Sequence, residues 1–143
     1  MEGREPSVVL LHSDVTGRIL GVFFEVYNEL GYGFREFVYR QAMLITLAGA
    51  GLGVRQGVEW PVWFRGALIA SFRPDIVVAD GPVLVELKAK NAIESHDIAQ
   101  ALNYLKVTDI EVALILNFGK RPDYLRRVFQ NGNKQRGPHV DPQ

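Results

Sequence analysis

The stretch PDIVVADGPVLVELK at residues 74–88 consists of two apolar runs around a tight turn. Each run also contains an acidic residue among its aliphatic residues. Asp80-Gly81 between two such runs predicts a β-hairpin. If the turn centres on this pair, the numbers of facing residues sum to 161, and Asp75 lies opposite Glu86. Directly opposed side chains share one face of a sheet, with Cβ atoms about 5 Å apart. The hairpin therefore brings two carboxylates together.

The other side chains of this hairpin fall on two faces, because side chains alternate along a strand. Lys88 lies two residues beyond Glu86 and shares the face of the carboxylates. Pro82 lacks an N–H group, so we expect a four-residue loop with the same register rather than the tightest two-residue turn. The opposite face is wholly apolar and holds Ile76, Val78, Val83, Val85 and Leu87.

Asp75, Glu86 and Lys88 together point to hydrolytic chemistry. Two carboxylates this close repel each other unless a positive charge lies between them. Mg²⁺ suits that position, since it binds one or two protein carboxylates and keeps several waters, and a nearby lysine adds a point charge for a bound water or a developing oxyanion. The pattern predicts metal-assisted hydrolysis of an anionic ester, above all a phosphodiester. The alternative is a frayed strand end, with Glu86 and Lys88 as a modest surface pair.

The rest of the chain predicts one α/β domain with a mixed sheet. Apolar residues at helical spacing, together with glycine stop signals, predict helices over residues 13–30, 34–48 and 94–107. Strands are expected over 54–64, 68–78, 83–89 and 112–116, and residues 124–129 fit either a strand or a helix. The predicted order is α-α-β-β-β-α-β. Polar ends indicate flexible tails at 1–12 and 131–143, which leaves a single domain over 13–130.

Composition restricts the classes of function only loosely. The 143 residues allow one domain with a proper core, and the 16 acidic residues equal the 16 basic ones, so charge gives no reason to expect avid binding to nucleic acid or anionic membrane. The chain has no cysteine, which excludes thiolate metal sites and fits a reducing, cytoplasmic compartment. No secretory signal is recognisable, and the longest uncharged run, residues 41–54, is shorter than the ~20 residues of a membrane helix.

Two helices offer further polar side chains. Glu36 falls in the first turn of the second helix with Tyr39 on the same face, although a first-turn glutamate also complements the helix dipole without any other role. In the third helix His96, Gln100 and Tyr104 recur every four residues as a polar stripe. A buried stripe needs partners, whereas an exposed one needs no explanation, and the sequence leaves both open.

Several ordered motifs resemble those of one nuclease superfamily. Pro74-Asp75, then ten residues, then Glu86-Leu87-Lys88 is similar to the signature of the PD-(D/E)XK nucleases. Q-x-x-x-Y at 100–104 resembles the helix motif of the RecB-like branch, and G-x-x-E-x-x-Y at 33–39 resembles the motif that names the GxxExxY family. The similarity covers about residues 14–129, nearly the whole predicted domain.

The resemblance implies a restriction-endonuclease-like fold, in which helices flank both sides of a central mixed sheet. By analogy Asp75, Glu86 and the carbonyl of Leu87 would bind Mg²⁺, with Mn²⁺ as a substitute, and Glu36 would complete or orient the metal shell. Lys88 would position the attacking water or steady the charge at phosphorus. The helix residues would brace the site or touch the substrate backbone, the histidine only in support: Gln100, Tyr104 and His96.

The leading hypothesis is a Mg²⁺-dependent nuclease that cleaves phosphodiester bonds, with DNA as the expected substrate, by metal-activated water. The alternative is a non-catalytic module that binds nucleic acid or protein, in line with the zero net charge. A basic group near the C-terminus would meet phosphate or form only a solvated face: Lys120, Arg121, Arg126 and Arg127. Hydrolysis of another phosphate ester ranks third, because the chain lacks the G-x-x-x-x-G-K-[ST] loop. The sequence leaves open whether the chain forms a homodimer or binds a larger protein partner.

Overall fold

The computed structural model describes residues 11–134 as three helices and seven strands, followed by a short 3₁₀ helix. In chain order these are α1 (Ser13–Leu30), α2 (Glu36–Gly49), β1 (Val54–Arg55), β2 (Trp60–Phe64), β3 (Ala67–Phe72), β4 (Ile76–Val78), β5 (Val83–Lys88), α3 (Ser95–Val107), β6 (Val112–Phe118), β7 (Pro122–Val128) and the 3₁₀ helix (Asn131–Asn133).

Five strands form the central sheet in the order β1-β4-β5-β6-β7. β5 and β6 run parallel because α3 carries the chain back along the sheet between them, and the other neighbouring strands are antiparallel. α1 and α2 pack on one face of the sheet, and α3 packs on the other. The predicted α/β class with a central mixed sheet flanked by helices is confirmed.

The pairing of β4 with β5 has the register predicted for the hairpin. Ile76 pairs with Val85, and the two following pairs keep the sum of 161, so the loop between the strands holds the four residues 79–82. Asp75, one residue before β4, is therefore in register with Glu86 on β5. The four-residue loop expected from Pro82 is also present.

Burial divides the hairpin into the two faces that its alternation predicts. The aliphatic face packs under α1 and α2, and its five members are all buried: Ile76, Val78, Val83, Val85 and Leu87. Full burial of such a side chain contributes roughly 1.5–3 kcal/mol each. On the opposite face Val77 and Leu84 pack against α3 through Ala101 and Leu105. Glu86 and Lys88 extend this second face and are directed toward α3.

Two stretches predicted as continuous strands are each divided. Residues 54–64 separate into β1 and β2 around Gly57, whose φ is +71°, and 68–78 separate before Pro74, which has no N–H for a strand ladder. β2 and β3 pair with each other as a two-stranded hairpin outside the central sheet, with the expected turn at Arg65-Gly66. The segment left open between helix and strand, 124–129, belongs largely to the strand β7.

The described structure continues past residue 130, where the sequence places the end of the domain. Residues 131–133 form the 3₁₀ helix, and Lys134 is buried. The Lys134 amine donates hydrogen bonds to the carbonyls of Thr108 (3.0 Å) and Ile110 (2.8 Å), and these bonds hold the segment beside the start of β6. At the other end Leu11 is partly buried against the core. Residues 1–10 and 135–143 of the predicted tails lie outside the described residues.

Candidate active site

The predicted carboxylate pair converges at the open end of the β4–β5 hairpin. Glu86 is only 4% exposed in the middle of the sheet, and Asp75 lies half-buried just before β4. The Asp75 Oδ2 atom accepts a hydrogen bond of 2.7 Å from the backbone N–H of Leu87, which continues the hairpin beyond its last strand pair. Backbone geometry thus fixes Asp75 beside Glu86.

Glu86 is held in an environment that disfavours its charge. The pKa of Glu86 is raised to about 9, first by burial and then by the negative charge and the side-chain hydrogen bond of Asp75, while the charge of Lys88 and a backbone hydrogen bond at Asp75 act in the opposite direction. One carboxyl oxygen, Oε1, is buried without a hydrogen-bond partner among residues 11–134. A buried polar atom without a partner costs roughly 1–3 kcal/mol.

These features fit a hard divalent cation. A cation at the pair would give the orphaned Oε1 of Glu86 a partner and would offset the repulsion from Asp75. Carboxylate oxygens are the ligands that Mg²⁺ and Mn²⁺ prefer. The donor set therefore suits the metal that the sequence motif implies.

Lys88 reaches the same face from the end of β5. Its Nζ atom lies 3.4 Å from the Gln100 Oε1 atom and 3.7 Å from the Asp97 Oδ1 atom, both on α3. Both contacts are long, and the side chain keeps 18% of its exposure. The amine is positioned beside the carboxylates without being locked in a tight ion pair. Gln100 thereby lies beside the Lys88 amine.

Tyr104 also faces the carboxylates, one helical turn beyond Gln100. The side chain is 8% exposed, and its ring meets Phe72 of β3 at 5.1 Å in a tilted, edge-on contact. Burial raises the pKa of Tyr104 to about 12, with further contributions from the charges of Glu86 and Asp75. The half of the α3 stripe next to Lys88 therefore lies beside the carboxylate pair.

His96 lies at the outer end of that stripe. It is strongly exposed, with its Nε2 atom 3.4 Å from the Asp97 Oδ1 atom. Glu94, His96 and Asp97 place one ligand atom each within 4.8 Å of one another. The Lys90 amine already contacts both acids of this group, at 2.8 Å to Glu94 and 2.5 Å to Asp97.

Glu36 is exposed at the first position of α2, and no hydrogen bond or ion pair joins it to the carboxylate pair within the described chain. Arg40, one turn further along α2, does make the contact: its Nη1 atom lies 3.7 Å from the Asp75 Oδ1 atom. Tyr39 stabilises the turn between α1 and α2, since its hydroxyl donates a hydrogen bond to the Gly31 carbonyl and accepts one from the Phe34 N–H. Its ring stacks on Phe118 with centroids 4.1 Å apart.

A cleft opens beside Asp75. It has a volume of about 230 Å³, and the arginines Arg40 and Arg73 lie on its wall together with Pro74. Arg73 also pairs with Glu59 at 2.8 Å, on an exposed surface. An anionic ligand in this cleft would lie near two guanidinium groups as well as Asp75, and guanidinium groups are well matched to phosphate.

Asp97 is a central residue that the sequence interpretation did not select. It is 3% exposed, and it joins the two lysines of the site, at 2.5 Å to the Lys90 amine and 3.7 Å to that of Lys88. Burial opposes ionisation of Asp97, but hydrogen bonds from Lys90 and from the Glu94 N–H outweigh it and lower its pKa. The spacing of Glu94 and Asp97, which form a capping box at the start of α3, is the signal that would have identified it.

Asn117 is the second residue missed. Its side-chain amide pairs with both backbone groups of Lys90, accepting from the N–H (3.1 Å) and donating to the carbonyl (2.9 Å). A Cβ atom at Gly119 would lie 2.5 Å from the same carbonyl, so only glycine fits there. These residues hold the chain that follows Lys88 against the end of β6. In the sequence, Asn117 directly follows a wholly apolar strand, and a buried amide at such a position needs hydrogen-bond partners; this is the signal that would have identified it.

The basic group near the C-terminus is not a single surface. Arg126 and Arg127 are neighbours on β7 and therefore point to opposite faces of the sheet. The Arg126 side chain donates to the Leu11 carbonyl. Lys120 and Arg121 lie in the β6–β7 turn and are exposed. Within residues 11–134, no helix is both long and apolar enough to cross a membrane.

Comparison with known proteins gives a family and a fold. The model of a family described as the PD-(D/E)XK nuclease superfamily matches residues 13–128. No curated protein matches the chain. The solved structure described as that of SSO0001 is similar, with a TM-score of 0.53 and 14% identity over 66% of this chain and 50% of the other. Hjc, a Holliday junction resolvase of Archaeoglobus fulgidus, has a TM-score of 0.40 and 17% identity over 63% of this chain and 72% of its own. The chain thus spans half the length of the first, and identity this low shows the fold alone.

Proposed function

This chain belongs to the PD-(D/E)XK nuclease superfamily, and we propose that it is a metal-dependent nuclease that hydrolyses phosphodiester bonds in DNA. The observation that carries the proposal is the carboxylate pair, in which the buried Glu86 Oε1 has no hydrogen-bond partner among residues 11–134 and Asp75 is fixed in register with Glu86. A fold that places two acids together in its core needs a cation there when both are ionised.

Each site residue has a role in this proposal. Asp75, Glu86 and the Leu87 carbonyl would hold Mg²⁺ or Mn²⁺, and Glu36 would complete or orient the metal shell from α2. A bound divalent cation supplies Lewis acidity, which lowers the pKa of a water ligand and neutralises charge on the phosphate. The Lys88 amine orients the attacking water or steadies the charge at phosphorus.

Neighbouring side chains support that arrangement. Gln100 keeps the Lys88 amine directed at the carboxylates, and Tyr104 closes the site toward β3 and excludes water. Arg40 and Arg73 attract the phosphate backbone into the cleft beside Asp75. His96 has only a supporting part through Asp97.

The finer assignments belong to the same proposal. The motifs G-x-x-E-x-x-Y and Q-x-x-x-Y support a place in the GxxExxY family of the RecB-like branch. The absence of cysteine from the sequence supports a cytoplasmic protein. We take residues 13–130 as the nuclease domain, and a homodimer or a protein partner would extend the small surface that it offers to DNA.

Metal-dependent cleavage of DNA by Lys88→Ala and wild-type protein tests the proposal. We expect wild-type cleavage in Mg²⁺ or Mn²⁺, none in EDTA, and a loss of about 10²–10³-fold in Lys88→Ala. Lys106→Ala removes an exposed lysine from the end of α3 and is the matched control. Circular dichroism checks that both variants keep their fold.

Intact single-stranded and double-stranded DNA and RNA after incubation in both metals would contradict the nuclease proposal. Retained binding of DNA, equal with and without metal, would then favour the non-catalytic module.

A further inference from the structure

Three exposed aromatic side chains lie within six residues of one another, at the turn between α1 and α2 and at the start of α2. Tyr32, Phe34 and Phe37 are 57%, 47% and 56% exposed, an unusual density of exposed aromatic surface within six residues of a small domain. Gly33 between the first two has φ +113°, a conformation that a side chain would strain. We call these three residues the aromatic ledge.

The ledge borders the end of the strand that carries Lys88. A cavity of about 160 Å³ has Tyr32 and Phe34 on one wall and Ala89, the residue directly after Lys88, on another. Lys120 from the β6–β7 turn completes it. A nucleotide that lies on the ledge therefore lies beside Ala89, the residue that follows Lys88.

Phe34 is held rigidly in place for such a contact. Its N–H donates to the Tyr39 hydroxyl at 3.2 Å, and its ring meets the Tyr39 ring edge to face at 6.0 Å. Tyr39 itself is wholly buried and stacked on Phe118. Half of the Phe34 ring stays exposed on this buried support, so little conformational entropy is lost when a flat ligand stacks on it.

Two cations lie beside the ledge in the β6–β7 turn. Lys120 and Arg121 are exposed, and neither side chain has an acidic partner within residues 11–134. They line a second, wider hollow together with Asp123, whose carboxylate accepts a hydrogen bond from its neighbour's backbone N–H. Lys90 in the first cavity is already neutralised by Glu94 and Asp97. The exposed positive charge next to this cavity that lacks such a pairing therefore includes Lys120 and Arg121 of the turn.

We propose that the aromatic ledge and this turn bind single-stranded polynucleotide, with unstacked bases on Tyr32 and Phe34 and phosphates at Lys120 and Arg121. The inference rests on the proposed nuclease function and names its substrate class. Aromatic surface with cations alongside is how sequence-tolerant single-strand binding is built, because every base has a flat face. A duplex keeps its bases stacked on each other and has nothing to place on the ledge. The site accordingly selects unpaired ends, flaps or loops.

Fluorescence anisotropy with a labelled oligo(dT) in EDTA tests this without any cleavage. Phe34→Ala and Tyr32→Ala are each expected to weaken binding about tenfold, the typical effect of removing one stacking partner. Phe64→Ala removes an equally exposed aromatic residue from the distant β2–β3 hairpin and is the matched control, with wild-type affinity expected. Removal of both Lys120 and Arg121 is expected to reduce the slope of log K against log salt by about 1.4.

Phe34→Trp separates stacking from a structural role. This variant is expected to restore binding, and its added tryptophan fluorescence, measured against the wild-type background, is expected to be quenched by oligo(dT). A matched oligo(rU) run in parallel distinguishes DNA from RNA, and tight binding of either strand supports the inference. Unchanged affinity in Phe34→Ala and Tyr32→Ala, or equal competition by a duplex, would overturn it.

The readouts keep this inference apart from the nuclease proposal. Binding in EDTA needs no catalysis, so ledge-dependent binding by a protein that cleaves nothing would leave the ledge standing and remove the enzyme. Cleavage of duplex DNA that is indifferent to the ledge variants would do the reverse.

Discussion

Glu86→Gln is expected to make the metal-free protein more stable at alkaline pH. Glutamine has nearly the same shape as glutamate but does not ionise, so the variant removes the cost of keeping this buried carboxyl protonated beside Asp75 once the pH exceeds its unfolded-state pKa. In wild type the pKa of Glu86 is raised from 4.5 to about 9, chiefly by burial. The folded protein therefore holds this proton more tightly than the unfolded chain does, and stability is lost as pH rises from 4.5 toward 9.

The size of the effect follows from the same shift. Each pH unit in this window costs about 1.36 kcal/mol, which amounts to ~5 kcal/mol at about pH 8 and on the order of 1 kcal/mol near pH 5. The free energy of unfolding of Glu86→Gln should exceed that of wild type by a margin that grows toward these values. Divalent metal should reverse the order, because it stabilises only the protein that binds it.

Urea denaturation in EDTA across this pH range, followed by tryptophan fluorescence, measures the difference. Glu29→Gln removes one negative charge from the exposed surface of α1 and controls for net charge. A Glu86→Gln variant that is no more stable than wild type at any pH, or a difference that does not change with pH, would refute the argument that burial and Asp75 together strain this carboxyl.

Three other changes test the surroundings of the site. Asp97→Asn should lower the unfolding free energy by roughly 1–3 kcal/mol, because it weakens charged hydrogen bonds at a buried position. In wild type the pKa of Asp97 is lowered, so this stability is present above pH 3.8 and disappears as pH falls through the folded-state pKa, which acid denaturation would show. Gly119→Ala should cost roughly 1–3 kcal/mol and reduce cleavage, since its methyl group would meet the Lys90 carbonyl at 2.5 Å; a thermal melt with wild-type Tm would contradict this. Arg40→Ala should raise KM more than it lowers kcat if the cleft binds phosphate, and steady-state kinetics that show only a loss of kcat would contradict that role.

The hairpin and its pair of acids were predictable from sequence because both depend on local rules. Asp80-Gly81 sets the turn, the alternation of strand residues assigns the faces, and Pro82 lengthens the loop without changing the register. The observed pairs follow the predicted sum throughout β4 and β5. Local chemistry likewise located α1 and α3, whose apolar faces are strongly periodic.

The parts that were missed depend on contacts between segments distant in sequence. Asn117 acts on Lys90 from 27 residues away, and Lys134 returns to Thr108 across 26, distances at which no periodicity signals a partner. Arg40 was overlooked because Glu36 matches a motif, whereas its neighbour one turn along the helix contacts Asp75. The strands predicted over residues 54–64 and 68–78 are divided because Gly57 and Pro74 break them, and the apolar alternation on either side does not show these breaks.

A crystal soaked in Mn²⁺ tests the central claim most directly. Anomalous density between the carboxylates of Asp75 and Glu86, lost in Glu86→Gln crystals, is the expected result. Density at Glu94, His96 and Asp97 alone, or an empty site between the paired acids at saturating Mn²⁺, would contradict it.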